Sequence, residues 1–400
     1  MSTQNLLIVQ GGGPTPVLNA TLASILEEAC RHSRIGQIFG ARFGVAGLVS
    51  GDIVDLSDFP REDLERLRMS PGAALGSSRS KPIPAHLDLI AQNLRRLNVR
   101  HLLLIGGNGT MRGAEVIGQF CKDAAYEVQV VGIPKTVDND IAATDRCPGY
   151  ASAARYVAQS TRDLGMDVCS LPQPVSILET MGRSVGWLAA ASAVAKLEPD
   201  DAPHLIYLPE RPFDTEKFLA DLDRVVTRLG WAVVVVSEGL RGPDGQLIYE
   251  TADPSQADAL QRPLPGGVGQ FLAGVVAHGL KIRCRTEKPG LLGRSSMLHA
   301  SSRDLEDAEL VGRAGVRALL AGHSEEMVSL RPLDDPGTTG CDLVPLHAVA
   351  GKERAVPAAW LSPTATSVND GFLEYVRPLI GELMPYHSPF KLSLDSFGVS

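Results

Sequence analysis

The chain has 400 residues, beyond the size at which one hydrophobic core usually stops growing, so two lobes with a cleft between them are expected. Hydrophobic residues make up 44% and charged residues 21% of it, and no run of eighteen or more apolar residues occurs, which argues for a globular, soluble chain without a membrane-spanning helix. A formal net charge of −8 argues against a nucleic-acid partner, which needs a basic face to replace phosphate counterions. An anionic substrate must then be held by a local cluster of basic groups.

In chain order, residues 5–10 (NLLIVQ) form a short apolar run that stops at Gly11-Gly12-Gly13-Pro14 and gives way to a helical stretch over 17–30. The order strand, glycine turn, helix recurs at 101–105, followed by GGNGT (106–110) and a helical stretch to about 122. Further apolar runs stand at 127–133 before Pro134, at 174–178, at 204–208, and at 231–236 before Ser237-Glu238-Gly239. Strands that are nearly all apolar, alternating with amphipathic helices, predict an α/β fold with mostly parallel sheets covered on both faces. In such folds ligands sit beyond the carboxyl ends of strands, where these glycine and polar clusters fall. The order of motifs puts a lobe boundary near residue 149.

Six cysteines, at 30, 121, 147, 169, 284 and 341, form no CxxC pair and have no histidine at zinc-ligand spacing. They read as reduced, mostly structural thiols. The N-terminal MSTQNLLIVQGGG lacks the basic start, long apolar core and cleavage site of a signal peptide, so a cytoplasmic location is expected.

At 11–14 and 106–110, glycines let backbone N–H groups approach a phosphate and the following helix adds its positive end. Neither loop fits GxxxxGK[ST], which argues against a Walker-type site. The segment 134–140 (PKTVDND) places a cation, a hydroxyl, two carboxylates and an amide within six residues at a strand end. Phosphoryl transfer needs metal-stabilised phosphate oxygens, cations against developing charge and a base for the acceptor hydroxyl, and this loop offers all three. Asp140 is suited to Mg²⁺ through oxygen, and Asp138 to taking the proton.

GGGPTPVLNA near the start, LGSSR (75–79), GGNGT, PKTVDND, ETMGR (179–183), SEG (237–239) and LLGR (291–294) follow the motif order of the phosphofructokinase family. The chain resembles that family over nearly its whole length, and TDRCPGYASAARYVAQST and VVVVSEG look most like its bacterial pyrophosphate-dependent branch. The resemblance implies the phosphofructokinase fold of two Rossmann-like lobes. A donor-phosphate and Mg²⁺ lobe would take residues 1–149 with part of 293–345, and a sugar-phosphate lobe 150–292 with part of 346–400. It also implies transfer of a phosphoryl group from ATP or pyrophosphate to the C1 hydroxyl of fructose 6-phosphate, in a homodimer or homotetramer.

By motif, Asp138 matches the base, with Thr136 and Lys135 beside the reacting phosphate. Gly12, Arg79, Gly107, Gly109 and Thr110 match donor contacts, and Asn108 and Asp140 match metal ligands. Met181, Gly182, Arg183, Glu238, Arg285, Leu291 and Arg294 match positions that hold the sugar phosphate.

The chain departs from the family pattern at four places. Asn108 replaces the usual aspartate, keeping an oxygen but losing the charge. Gly109 stands where pyrophosphate users carry an aspartate, which would oppose a nucleotide α-phosphate by about 4 kcal/mol at ~4 Å and an effective dielectric of ~20. Glycine there favours ATP, lysine at 135 favours pyrophosphate, and the balance is read as ATP. On the acceptor side, Pro174 stands in place of a basic residue and Leu291 in place of histidine or tyrosine. Lys281, Arg283, Lys288 or Lys391 could restore the charge from another direction; otherwise the acceptor is a different sugar or polyol. Two further readings are a regulatory subunit that kept the fold without turnover, and an NAD-kinase-like enzyme. The latter shares a glycine-rich phosphate loop but leaves PKTVDND, MGR and SEG unexplained.

Overall fold

A computed structural model of the chain describes residues 3–171, 175–250, 267–335, 337, 340–364 and 366–387. Pro174 and Lys391 lie outside the described residues. The strands are β1 (Gln4–Gln10), β2 (Ile35–Ala41), β3 (Ile53–Asp55), β4 (Val99–Gly106), β5 (Gln129–Pro134), β6 (Val175–Thr180), β7 (Leu205–Tyr207), β8 (Ala232–Ser237), β9 (Cys284–Glu287), β10 (Glu326–Leu330) and β11 (Cys341–Pro345).

They form a seven-stranded sheet in the order β11-β10-β5-β4-β1-β2-β3 and a four-stranded sheet in the order β7-β8-β6-β9. The second sheet is parallel throughout. The first is parallel from β10 to β2 and carries one antiparallel strand at each edge, β11 and β3. Mostly parallel pairing is what the apolar runs foretold, because a strand buried on both faces has no polar side to alternate.

In β1, Leu6 and Ile8 join one apolar cluster with Leu103, Ile105 and Ile133, whereas Leu7 and Val9 join another with Leu102, Leu104 and Val130. Successive side chains point to opposite faces, so each face of the sheet has its own core. The helices Leu18–Ala29 and Ser302–Leu320 cover one face and meet at Gly312, where a Cβ would stand 2.1 Å from Ser24 Oγ. The second sheet is covered likewise, with Ile177 and Leu178 in different clusters. Among the described residues no helix is long and apolar enough to cross a membrane.

β1, β4 and β5 are adjacent and lead respectively into Gly11, Gly107 and Lys135, so the three loops singled out by sequence emerge side by side. Five strands had no counterpart in the sequence reading: β2, β3, β9, β10 and β11.

Candidate active site

The two glycine loops are locked to one another. A Cβ on Gly106 would lie 2.1 Å from Thr110 Oγ1, and one on Gly11 would lie 2.6 Å from the same atom. Gly12 has φ +76, a left-handed conformation that glycine adopts without strain. The helix Asn108–Asp123 starts after Gly107 with no side-chain cap, leaving first-turn N–H groups and the positive end of the helix facing outward. These loops, with Arg79, Thr136, Asp138 and Asp140, line a cavity of about 470 Å³. Every residue assigned to the donor or the metal from sequence (Gly12, Arg79, Gly107, Asn108, Gly109, Thr110 and Asp140) lines it. A Cβ on Gly109 would meet nothing within 4 Å, so the wall is open there.

Lys135 lies beneath this cavity, 1% exposed. Its Nζ donates to the carbonyls of Gly11 at 2.9 Å and Gly13 at 2.6 Å, so the lysine braces the first glycine loop. Burial first, then Arg294, draw its pKa down to about 8, against the pull of Asp138 and Asp140. Asp138 is pushed up to about 7, by burial first and then by the neighbouring charges of Asp140 and Glu238. Its backbone N–H donates to Thr136 Oγ1 at 3.1 Å. A carboxyl poised near neutrality accepts a proton more readily than an ordinary aspartate.

Asn108 Nδ2 donates to Asp140 Oδ2 at 3.0 Å, while Asn108 Oδ1 and Asp140 Oδ1 are buried without a hydrogen-bond partner. Burial also raises the Asp140 pKa. Two hard oxygens left unsatisfied at the phosphate loops suit Mg²⁺, which prefers one or two protein oxygens and completes its shell with phosphate and water. Among the described residues no group of three or more His, Cys, Asp or Glu side chains is placed to hold a metal, so an ion here depends on the asparagine and on its other ligands.

The acceptor-side residues approach from β6, β8 and the segment after β9. Ser237 Oγ donates to the Gly182 carbonyl at 2.5 Å, and the Glu238 N–H donates to the Thr180 carbonyl at 3.0 Å, joining the MGR and SEG turns. Met181 packs against the adjacent apolar cluster, and Arg183 is half-buried. Glu238 is pushed up to about 7, chiefly by burial, with Lys288 opposing. Arg294 points toward the donor side: its Nη1 lies 2.9 Å from where a Cβ on Gly13 would be, and its charge is felt by Lys135 and Asp138.

Arg285 and Leu291 are not drawn into this cluster. Both are exposed, Leu291 to 64%. Of the lysines and arginines considered as substitutes, Lys288 pairs with the buried Glu179 at 2.9 Å, while Lys281 and Arg283 are exposed.

Sequence reasoning missed the residues that hold the PKTVDND loop in shape. Asn139 has φ +55 and donates through Nδ2 to Tyr375 Oη at 2.9 Å, and its Oδ1 accepts from the Cys147 N–H. Arg354 donates to the carbonyls of Asn139, Thr144 and Asp145, and its backbone N–H donates to the Asp140 carbonyl at 2.7 Å. Asp304, at the start of the helix Ser302–Leu320, accepts from the Gly149 and Ser152 N–H groups, and Gly149 pairs with Thr136. Asn139 lies within PKTVDND, but Arg354, Tyr375 and Asp304 lie in no motif.

The phosphofructokinase family model matches residues 5–318, most of the chain. The chain belongs to the phosphofructokinase family. It is 37% identical over 389 residues to a pyrophosphate–fructose 6-phosphate 1-phosphotransferase of Xanthomonas campestris pv. campestris, covering 95% of this chain and 92% of that one. It is 35% identical over 358 residues to a sulfofructose kinase of Alkalicoccus urumqiensis, covering 88% and 91%. A crystal structure of the pyrophosphate-dependent phosphofructokinase of Nitrosospira multiformis superposes with a TM-score of 0.86 at 30% identity, over 98% of this chain and 99% of that one. This phosphofructokinase fold is the one expected from sequence. The expectation that ATP is favoured finds no support here, because the phosphofructokinase relatives at 32–37% identity are pyrophosphate-dependent by name, while an ATP-dependent 6-phosphofructokinase of Amycolatopsis methanolica is 30% identical over 335 residues.

Proposed function

We propose that the chain transfers a phosphoryl group from pyrophosphate to the C1 hydroxyl of fructose 6-phosphate, giving fructose 1,6-bisphosphate. The observation that carries this reading is Asp138, a half-buried carboxyl with a pKa raised to about 7, lining the cavity of the glycine loops within reach of the charges of Glu238 and Arg294. Asp138 withdraws the C1 hydroxyl proton. Lys135, Arg79 and Arg294 hold cationic charge around the transferring phosphoryl, and Thr136 flanks it. Bound through Asn108 and Asp140, Mg²⁺ would neutralise charge on the donor phosphates. Met181, Gly182, Arg183 and Glu238 orient the sugar from the second sheet.

On this reading residues 1–149 with part of 293–345 serve the donor, and 150–292 with part of 346–400 serve the sugar. The enzyme works in the cytoplasm as a homodimer or homotetramer.

The test is product formation from fructose 6-phosphate and Mg²⁺ with pyrophosphate or ATP, for the parent and Asp138→Asn. Faster turnover with pyrophosphate is expected, and the variant should lose about a thousandfold in kcat, the usual scale for a general base, with KM little changed. Turnover that survives in Asp138→Asn would remove Asp138 from the role, and faster turnover with ATP would reverse the donor. No turnover with any sugar would leave the regulatory-subunit reading.

A second acceptor is favoured by Leu291, an exposed apolar side chain at a place where the family often binds phosphate, and by the similarity to a sulfofructose kinase. It predicts better turnover of a fructose bearing a sulfonate in place of the 6-phosphate, and turnover of fructose 6-phosphate at ordinary family efficiency would exclude it.

A further inference from the structure

A second cavity, of about 1000 Å³, opens at the opposite end of the first sheet, among the amino ends of β1, β4 and β5. His101 in its wall lies near the start of β4, the same strand that ends at Gly106, five residues and roughly 17 Å along. None of the residues assigned to phosphoryl transfer lines it.

His101 is 2% exposed, and neither ring nitrogen has a hydrogen-bond partner of ordinary geometry. The Gln129 side chain bears on the ring, but one amide serves one nitrogen at most. Burial, then Arg34, lower the His101 pKa to about 4, so at neutral pH the ring offers one donor and one acceptor. Leaving both idle in a buried place is costly, and a ligand hydroxyl can satisfy either.

The same wall carries Arg34, Arg100 and Lys122. Arg34 Nη2 donates to the Leu320 carbonyl at 2.7 Å, and Arg100 Nη1 donates to the Glu127 carbonyl at 2.8 Å while its guanidinium lies 4.7 Å from the Tyr126 ring centre. Each guanidinium is thus fixed by one nitrogen, with further N–H groups available for another partner. Against these three cations stand the carboxylates of Glu127 and Glu325, so the wall is cationic in a chain whose net charge is −8.

We propose that this cavity is a second ligand site, taking a small phosphorylated sugar or polyol whose phosphate meets Arg34, Arg100 and Lys122 and whose hydroxyl satisfies His101. The site is separate from the donor and acceptor sites and does not depend on which donor is used.

Glycerol 3-phosphate, which carries both groups, is the probe. Full-length protein labelled at its histidine ring carbons is titrated at pH 7.5, with the His101 resonance assigned by its loss in His101→Gln. A saturable shift of that resonance is expected, with the same midpoint in the presence of saturating pyrophosphate. In Arg34→Ala, an exposed position whose replacement leaves the core intact, the midpoint should rise about tenfold or more. A resonance that does not move, a shift abolished by pyrophosphate, or an unchanged midpoint in Arg34→Ala would each overturn the proposal.

Discussion

Lys135 shows how one side chain serves fold and chemistry together. Its ammonium is tied to two carbonyls of the first glycine loop and lies just behind Gly12, which lines the cavity where phosphate is proposed to bind. Burial holds its pKa at about 8, well under the ordinary lysine value. The sign follows directly: above about pH 8 the free enzyme loses this charge, and with it attraction for an anionic donor. We expect kcat/KM for pyrophosphate to fall through about pH 8, approaching tenfold per unit, while kcat stays flatter because bound phosphate keeps the lysine protonated. In Lys135→Arg the alkaline limb should vanish, at lower overall activity, since a planar guanidinium does not fit a seat shaped by two carbonyls. An unchanged limb in that variant would assign it to another group.

At the scale of elements, the glycine loops and their helices were legible because they sit at strand ends in one continuous stretch of chain. The close contact that makes them obligatory was not. Thr110 fills the space a Cβ would need at both Gly11 and Gly106, but by different atoms. At Gly11 the conflict is with Thr110 Oγ1 at 2.6 Å, whereas its Cβ stands clear at 3.5 Å; at Gly106 the Thr110 Cβ itself is at 2.5 Å. Gly11→Ala should therefore destabilise the protein by about 1–3 kcal/mol, the usual cost of overpacking, and the double variant with Thr110→Ala should recover most of that. Gly106→Ala should not be rescued. Urea unfolding of Gly11→Ala, Gly106→Ala, Thr110→Ala and the two double variants measures the coupling.

The missed strands have the same cause seen from the other side. β2 reads IGQIFGA, and its two glycines weaken the strand pattern, yet both are needed: a Cβ would lie 2.5 Å from Asn5 Oδ1 at Gly36 and 2.6 Å from Leu75 Cδ2 at Gly40. β3, β9 and β11 lie at sheet edges and have mixed exposure, so they lack the all-apolar signature of the interior strands. β10 is interior and mostly buried, but at five residues, with a polar Ser329, it offers only a brief apolar run.

At the scale of the molecule, the PKTVDND loop joins the two sheets. It leaves β5 of the first sheet, and Arg354, more than two hundred residues later, binds three of its carbonyls while lying 4.4 Å from the ring centre of Trp187 in the core of the second sheet. Tyr375, on the helix Asp370–Ile380, closes the arrangement by donating to the Asp145 carbonyl at 2.9 Å and accepting from Asn139 and Arg354. No local pattern marks an arginine whose partners are carbonyls so distant in sequence, so motif reading could not reach it.

Arg354→Leu strips the donor from three carbonyls at once, and each unmet group costs about 1–3 kcal/mol. The melting temperature should fall. Because the same bonds hold Asn139 in its left-handed conformation between Asp138 and Asp140, kcat measured well below that temperature should also fall, by about tenfold or more, with a smaller change in KM. Arg354→Lys, which keeps one donor group and the charge, should restore part of each. A loss of stability with kcat intact would make Arg354 a strut between the sheets and nothing more.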